Sequence, residues 1–174
     1  EVVKILASRF VNVTKTWNNT AEGVVFTLRL PRIIGAVLVG SALSLSGAAY
    51  QGVFQNPLVA PDLLGVSSGA CVGASVAILL HLNSFGVQAM AFGAGILAVG
   101  LTIFIPHLIR NTNMTMLVLS GIIVKGIMDS VMGIIKYVAD PETELQSITY
   151  WQLGSLTKVL PRDLMAVGPV IILG

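Results

Sequence analysis

Residues 28–61 read LRLPRIIGAVLVGSALSLSGAAYQGVFQNPLVAP. Arg29 and Arg32 stand at the head of this stretch, no other charge occurs in it, and Asn56-Pro57 closes its apolar part. A hydrocarbon core of about 30 Å takes roughly 20 apolar residues in a helix, and residues 32–54 satisfy that length alone. Pro31 suits a first helical position, where its missing N–H would lack an intrahelical partner anyway. Asn-Pro then stops the helix. The stretch therefore encodes a membrane-crossing helix with two cations at its mouth.

The rest of the chain has the same character. Of its 174 residues, 55% are hydrophobic and only 10% charged, and mean hydropathy is +0.87. A soluble domain carries about 25% charged residues. Further spans are expected at about 63–82, 88–109 and 116–138, with a fifth from about 164 that is cut off at 174. Asp62 or Ser67 is positioned to cap the second, and Pro106 lies near the exit of the third. The expected fold class is all-α, a polytopic transmembrane helix bundle forming one partial domain over 1–174. The start, EVVKILASRF, reads as mid-chain, and GPVIILG ends inside an apolar run, so the chain is expected to be part of a longer protein.

Small residues recur within the spans. Ala36, Gly40, Ser44, Ala48 and Gly52 repeat every four residues in the first, Gly69 and Gly73 form a G-x-x-x-G in the second, and Gly93, Gly95 and Gly100 mark the third. Such stripes allow helices to approach closely in lipid, where apolar surface alone gives no reason to associate. Between the fourth and fifth spans, Asp140-Pro141 with Glu142 and Glu144 marks the start of a short helix, its acids near the positive dipole end. Tyr150 and Trp151 fit an interfacial aromatic belt.

Charge excludes several functions. A net charge of +2 with scattered basic residues does not support nucleic-acid binding. The single Cys71 excludes an intrachain disulfide and a cysteine-based metal cluster. His81 and His107 assemble no metal site. No G-x-x-x-x-G-K-[ST] occurs, and Gly65–Ala70 is not a nucleophile elbow, so no catalytic residue and no P-loop for ATP is expected. Five basic and two acidic residues precede the first span through Arg32, which naively puts that side in the cytoplasm.

Two constellations carry candidate chemistry. Arg29 and Arg32, three apart, share a face if the helix continues through Pro31. They are either interfacial anchors reaching lipid phosphates or docking cations for an acidic partner, since arginine pairs bidentately with carboxylates. Lys125 and Asp129 sit four apart inside the fourth span. Ionisable groups at that depth face protein or water. They are either a structural pair that neutralises itself against a neighbouring helix or a polar lining of a substrate path. A cation there favours an anionic substrate, although Asp129 cancels much of its charge.

LRLPR, followed by LVGSALSLSGAAYQGVFQNPLVAPDLLGVSSGA, strongly resembles the permease subunits of the iron–siderophore, haem and vitamin B12 class of bacterial ABC importers, the FecCD family. LVLSGI and DPETELQSITYWQLGSL fit as well, so the resemblance covers essentially the whole chain. It implies part of a ten-span permease that works as a homodimer in membrane lipid. ATP and Mg would act on separate ATP-binding subunits, with no cofactor in this chain and no enzyme activity of its own. A periplasmic or lipid-anchored substrate-binding protein would deliver a ferric siderophore, haem, cobalamin or an oxyanion such as molybdate.

The resemblance places Arg29 and Arg32 outside as docking cations, against the naive charge count. It implies cytoplasmic gates at Asn56, Pro57 and Leu58 and at Asn113, Met114 and Thr115, Met114 departing from the small polar residue usual there. It makes the span with Lys125 and Asp129 line the translocation path, although that pair is not a family motif. The location implied is a bacterial or archaeal cell membrane, the inner membrane if Gram-negative. A channel or structural membrane subunit, or an intramembrane enzyme, is the alternative; dependence of transport on ATP and a binding protein separates the importer from both.

Overall fold

A computed structural model describes residues 2–8, 15, 17–57, 59–110, 113–157 and 159–173. All regular elements among them are helical: α1 (Val2–Ala7), α2 (Asn19–Gly23), a π-helical turn (Val24–Arg29), α3 (Leu30–Phe54), a 3-10 turn (Pro61–Leu64), α4 (Val66–Leu79), α5 (Ser84–Leu108), α6 (Met114–Val138), α7 (Glu144–Leu153) and α8 (Pro161–Leu173). Three helical runs are long and apolar enough to cross a membrane: Asn19–Phe54, Ser84–Leu108 and Met114–Val138. The chain divides into two compact units, one of Glu1–Leu45 with Ser155–Gly174 and one of Ser46–Gly154.

In the first unit, the helix entering α3 widens before Pro31. The Leu30 N–H donates to the Val25 carbonyl, five residues back. Proline donates nothing and its ring crowds the carbonyl four residues earlier, which a widened turn relieves. Val25 is buried in this turn, and Ile5 of α1 is buried. Within the same unit Gly35 of α3 faces Val159 and Leu164, 3.5 and 3.6 Å from where its Cβ would stand. α8 opens with Pro161 in its first turn, and Asp163 Oδ2 reaches back to accept from the Leu160 N–H at 2.9 Å.

The second unit is built on a tight α4–α5 hairpin. A Cβ on Gly69 would stand 2.6 Å from Ala98 Cβ and 2.8 Å from the Ala94 carbonyl, and one on Gly73 would overlap the Met90 carbonyl. The G-x-x-x-G is thus the seam between these helices, with Ala74, Ala77 and Ala98 fully buried. α6 packs against both α4 and α5. Met132 and Ile135 of α6, with Ala139, join Ile148 of α7 and flanking residues of α4 in one apolar cluster. Asn83 caps α5, its Oδ1 accepting from the Gly86 N–H at 2.8 Å, so the helix starts at Ser84. Ahead of α7, Asp140 Oδ2 accepts from Thr143 Oγ1 and the Asp140 N–H donates to Glu144 Oε2.

Two expectations differ. The four-residue stripe on α3 is exposed, and none of the described residues stands within 4 Å of a Cβ at Gly40 or Gly52. The second span opens as a 3-10 turn, and α4 itself has 14 residues, about 21 Å at 1.5 Å per residue. Neither Asp62 nor Ser67 caps it; Gly65 holds the N-cap position with φ of 71°.

Candidate functional site

The candidate site is where the segment between α3 and α4 meets α6. α3 ends in a Schellman closure: the Asn56 N–H donates to the Gln51 carbonyl at 3.2 Å, the Gln55 N–H to the Gly52 carbonyl at 3.4 Å, and Gln55 takes φ of 49°. Beyond it several backbone groups of the described residues are hydrogen-bonded. The Asn56 carbonyl accepts from the Val59 N–H at 3.2 Å, the Pro57 carbonyl from Gln51 Nε2 at 3.1 Å, and the Ala60 carbonyl from the Leu63 N–H at 3.1 Å. The Leu64 carbonyl accepts from the buried hydroxyl of Thr102 on α5 at 3.0 Å. Such pairing is what non-helical backbone requires away from water. Phe54, Val59 and Leu64 are buried together, with Leu117 and Val118 of α6 packed on them.

The segment rests against the middle of α6. A Cβ on Gly121 would overlap the Leu63 carbonyl, and one on Gly65 would stand 3.3 Å from the Lys125 backbone nitrogen. Lys125 lies about 17 Å along this helix of 25 residues. Its Nζ pairs with Asp62 Oδ2 at 2.5 Å, the two side chains 41% and 45% exposed. Asp129, one turn on, is exposed and makes no ion pair among the described residues.

Of the two readings of Lys125 and Asp129, the self-neutralising pair is corrected. The 3-10 turn brings the Asp62 carboxylate onto Lys125, and Asp129 is left beside them. Lys125 carries no uncompensated charge, so it supplies no argument for an anionic substrate. The site as a whole holds two acids and one base.

The sequence matches the FecCD transport family over residues 2–174. The chain belongs to the FecCD transport family. Among the FecCD relatives, it is 38% identical over 136 residues to the molybdate import system permease protein MolB of Haemophilus influenzae, covering 77% of this chain and 40% of that one. It is 37% identical to the cobalamin import system permease protein BtuC of Halobacterium salinarum, covering 89% and 42%. It is 34% identical to the hemin transport system permease protein HmuU of Yersinia pestis, covering 90% and 49%. The chain thus spans less than half the length of these relatives. A solved metal-chelate type ABC transporter in an inward-facing conformation superposes with a TM-score of 0.84 at 29% identity, covering 99% of this chain and 56% of that one.

The remaining candidate residues of this FecCD chain fall at element ends. Arg29 closes the π-helical turn and is exposed; Arg32, in the first turn of α3, is half-buried, its Nε without a hydrogen-bond partner among the described residues. Asn56 forms the turn just described, and Leu58 lies outside the described residues. Asn113 is the N-cap residue of α6, its carbonyl accepting from the Met116 and Leu117 N–H groups at 2.9 and 3.1 Å, and Met114 and Thr115 begin the helix, both exposed. His81 Nε2 lies 3.4 Å from Glu144 Oε1 at the surface. Asp62 is the site residue that sequence reasoning missed. Its signal was a lone acid in the connecting loop and a cation deep in an apolar span, but a pair 63 residues apart has no spacing to announce it.

Proposed function

We propose that this chain is part of the membrane permease of a binding-protein-dependent ABC importer for a metal chelate: a ferric siderophore, haem or cobalamin, or else an oxyanion such as molybdate. The family match over residues 2–174 carries this reading. Three helices of membrane-crossing length and relatives named for molybdate, cobalamin and hemin import support it. The permease acts as a homodimer in a prokaryotic cell membrane and makes no covalent change in its substrate. Partner subunits bind and hydrolyse ATP with Mg, and a substrate-binding protein feeds the outer mouth through Arg29 and Arg32. Asn56 and Leu58, with Asn113, Met114 and Thr115, gate the cytoplasmic side, and α6 with Lys125 and Asp129 lines the path. Alternating access driven by differential affinity for the two states moves the substrate.

The test is uptake by liposomes holding the intact permease and its ATP-binding subunits. Each of four labelled probes is supplied with its binding protein: a ferric siderophore, haem, cobalamin and molybdate. Uptake of one probe that needs both enclosed ATP and the binding protein is expected. Leakage independent of both makes the protein a channel.

A further inference from the structure

We propose that Asp62 is a positioning residue, paired with Lys125 to hold the segment 59–65, with its 3-10 turn, in register on the middle of α6. The inference rests on the importer reading, because the segment it positions follows the proposed gate residue Asn56.

Several contacts meet at one level of α6. The Leu63 carbonyl sits where a Cβ of Gly121 would be, Gly65 packs on the Lys125 backbone, and the Thr102 hydroxyl holds the Leu64 carbonyl from α5. These contacts fix how closely the segment approaches. The charged pair, together with the gap at Gly121, fixes where along the helix it sits. A slip of one turn, about 5.4 Å, would carry Lys125 out of reach of Asp62. It would also bring Leu117 or Val118, rather than Gly121, beneath the Leu63 carbonyl, where no side chain fits. Asp62 is the single acid of the α3–α4 connection, so no neighbour there replaces it. The ion pair, half-exposed on one side, couples the segment to the helix that carries the proposed path. Motion of α6 then reaches the Asn56 turn directly.

Direct contact of Lys125 with substrate, as distinct from a place along the path, predicts something different. If Lys125 met substrate, reversing the charges at both positions would change what is carried. If the pair positions the segment, reversal keeps the attraction and restores function.

The experiment uses the intact permease with its ATP-binding subunits in liposomes and reads ATP hydrolysis stimulated by the binding protein. Asp62→Asn and Lys125→Met are each expected to lower the maximal stimulated rate about tenfold, the size of a coupled-pair loss. The binding-protein concentration for half-stimulation should stay within about twofold. The exchange Asp62→Lys/Lys125→Asp should recover to within about threefold of wild type. An exchange as impaired as the single variants, or single variants as active as wild type, overturns the proposal.

A second measurement needs no turnover. In a Cys71→Ala background, Asp62→Cys/Lys125→Cys is treated with a short bifunctional methanethiosulfonate in native membranes. Near-complete crosslinking upholds the contact, and none overturns it. A wild type that the binding protein fails to stimulate sinks the importer reading, and the crosslink then decides the pairing by itself.

Discussion

Replacing Gly73 with alanine is expected to push α4 away from α5. The new methyl would overlap the Met90 carbonyl and stand 2.6 Å from Ala94 Cβ. Carbon atoms prefer about 3.5–4.0 Å, so roughly 1 Å must be found. The obstacle is backbone oxygen, which no rotamer change removes. Overpacking of this kind costs about 1–3 kcal/mol. Alanine's better helix propensity offsets up to about 1 kcal/mol, but Ala74 and Ala77 lose contact as the seam opens. A net loss of about 1–2 kcal/mol follows, which lowers Tm by about 1–4 °C in a permease roughly twice this chain's length. The internal control is Gly93→Ala on α5, where a Cβ meets nothing within 4 Å. There only the propensity gain remains, worth up to about 1 kcal/mol. Thermal unfolding of both variants of the intact permease in detergent measures the difference. Gly73→Ala melting at or above wild type would refute the reasoning.

Three further substitutions probe the same unit, each read by Tm. Thr102→Val keeps the shape but leaves the buried Leu64 carbonyl without its 3.0 Å partner, and should cost about 1–3 kcal/mol. Gln55→Gly and His81→Gly relieve left-handed backbone at φ of 49° and 51°, and each should stabilise by about 1 kcal/mol.

Different kinds of information made parts of this fold legible. The α4–α5 seam could be read from Gly69 and Gly73, because a G-x-x-x-G names the residues that permit close approach. The same logic applied to α3 found a stripe that this chain leaves open, since small residues permit contact without supplying a partner. The cap at Asn83 was missed: its side-chain bond to Gly86 starts α5 at Ser84, ahead of the expected 88. The site was half legible. A lysine inside an apolar span signalled polar surroundings, and local spacing pointed to Asp129 as the partner. The winning partner, Asp62, comes from a 3-10 turn whose position depends on Gly121 and Gly65 admitting backbone against α6. That packing is tertiary, and no periodicity within one helix encodes it. The π-helical turn before Pro31 was hidden for a related reason: Pro31 reads as a first helical residue, whereas the helix runs through it by widening.

The most direct test of the account is ATP hydrolysis by the intact permease with its ATP-binding subunits, with and without the cognate binding protein. Wild type is compared with Arg29→Glu/Arg32→Glu. The account predicts stimulation of wild type by the binding protein and its loss in the double variant. A wild type that shows no stimulation at any concentration of the binding protein would contradict it.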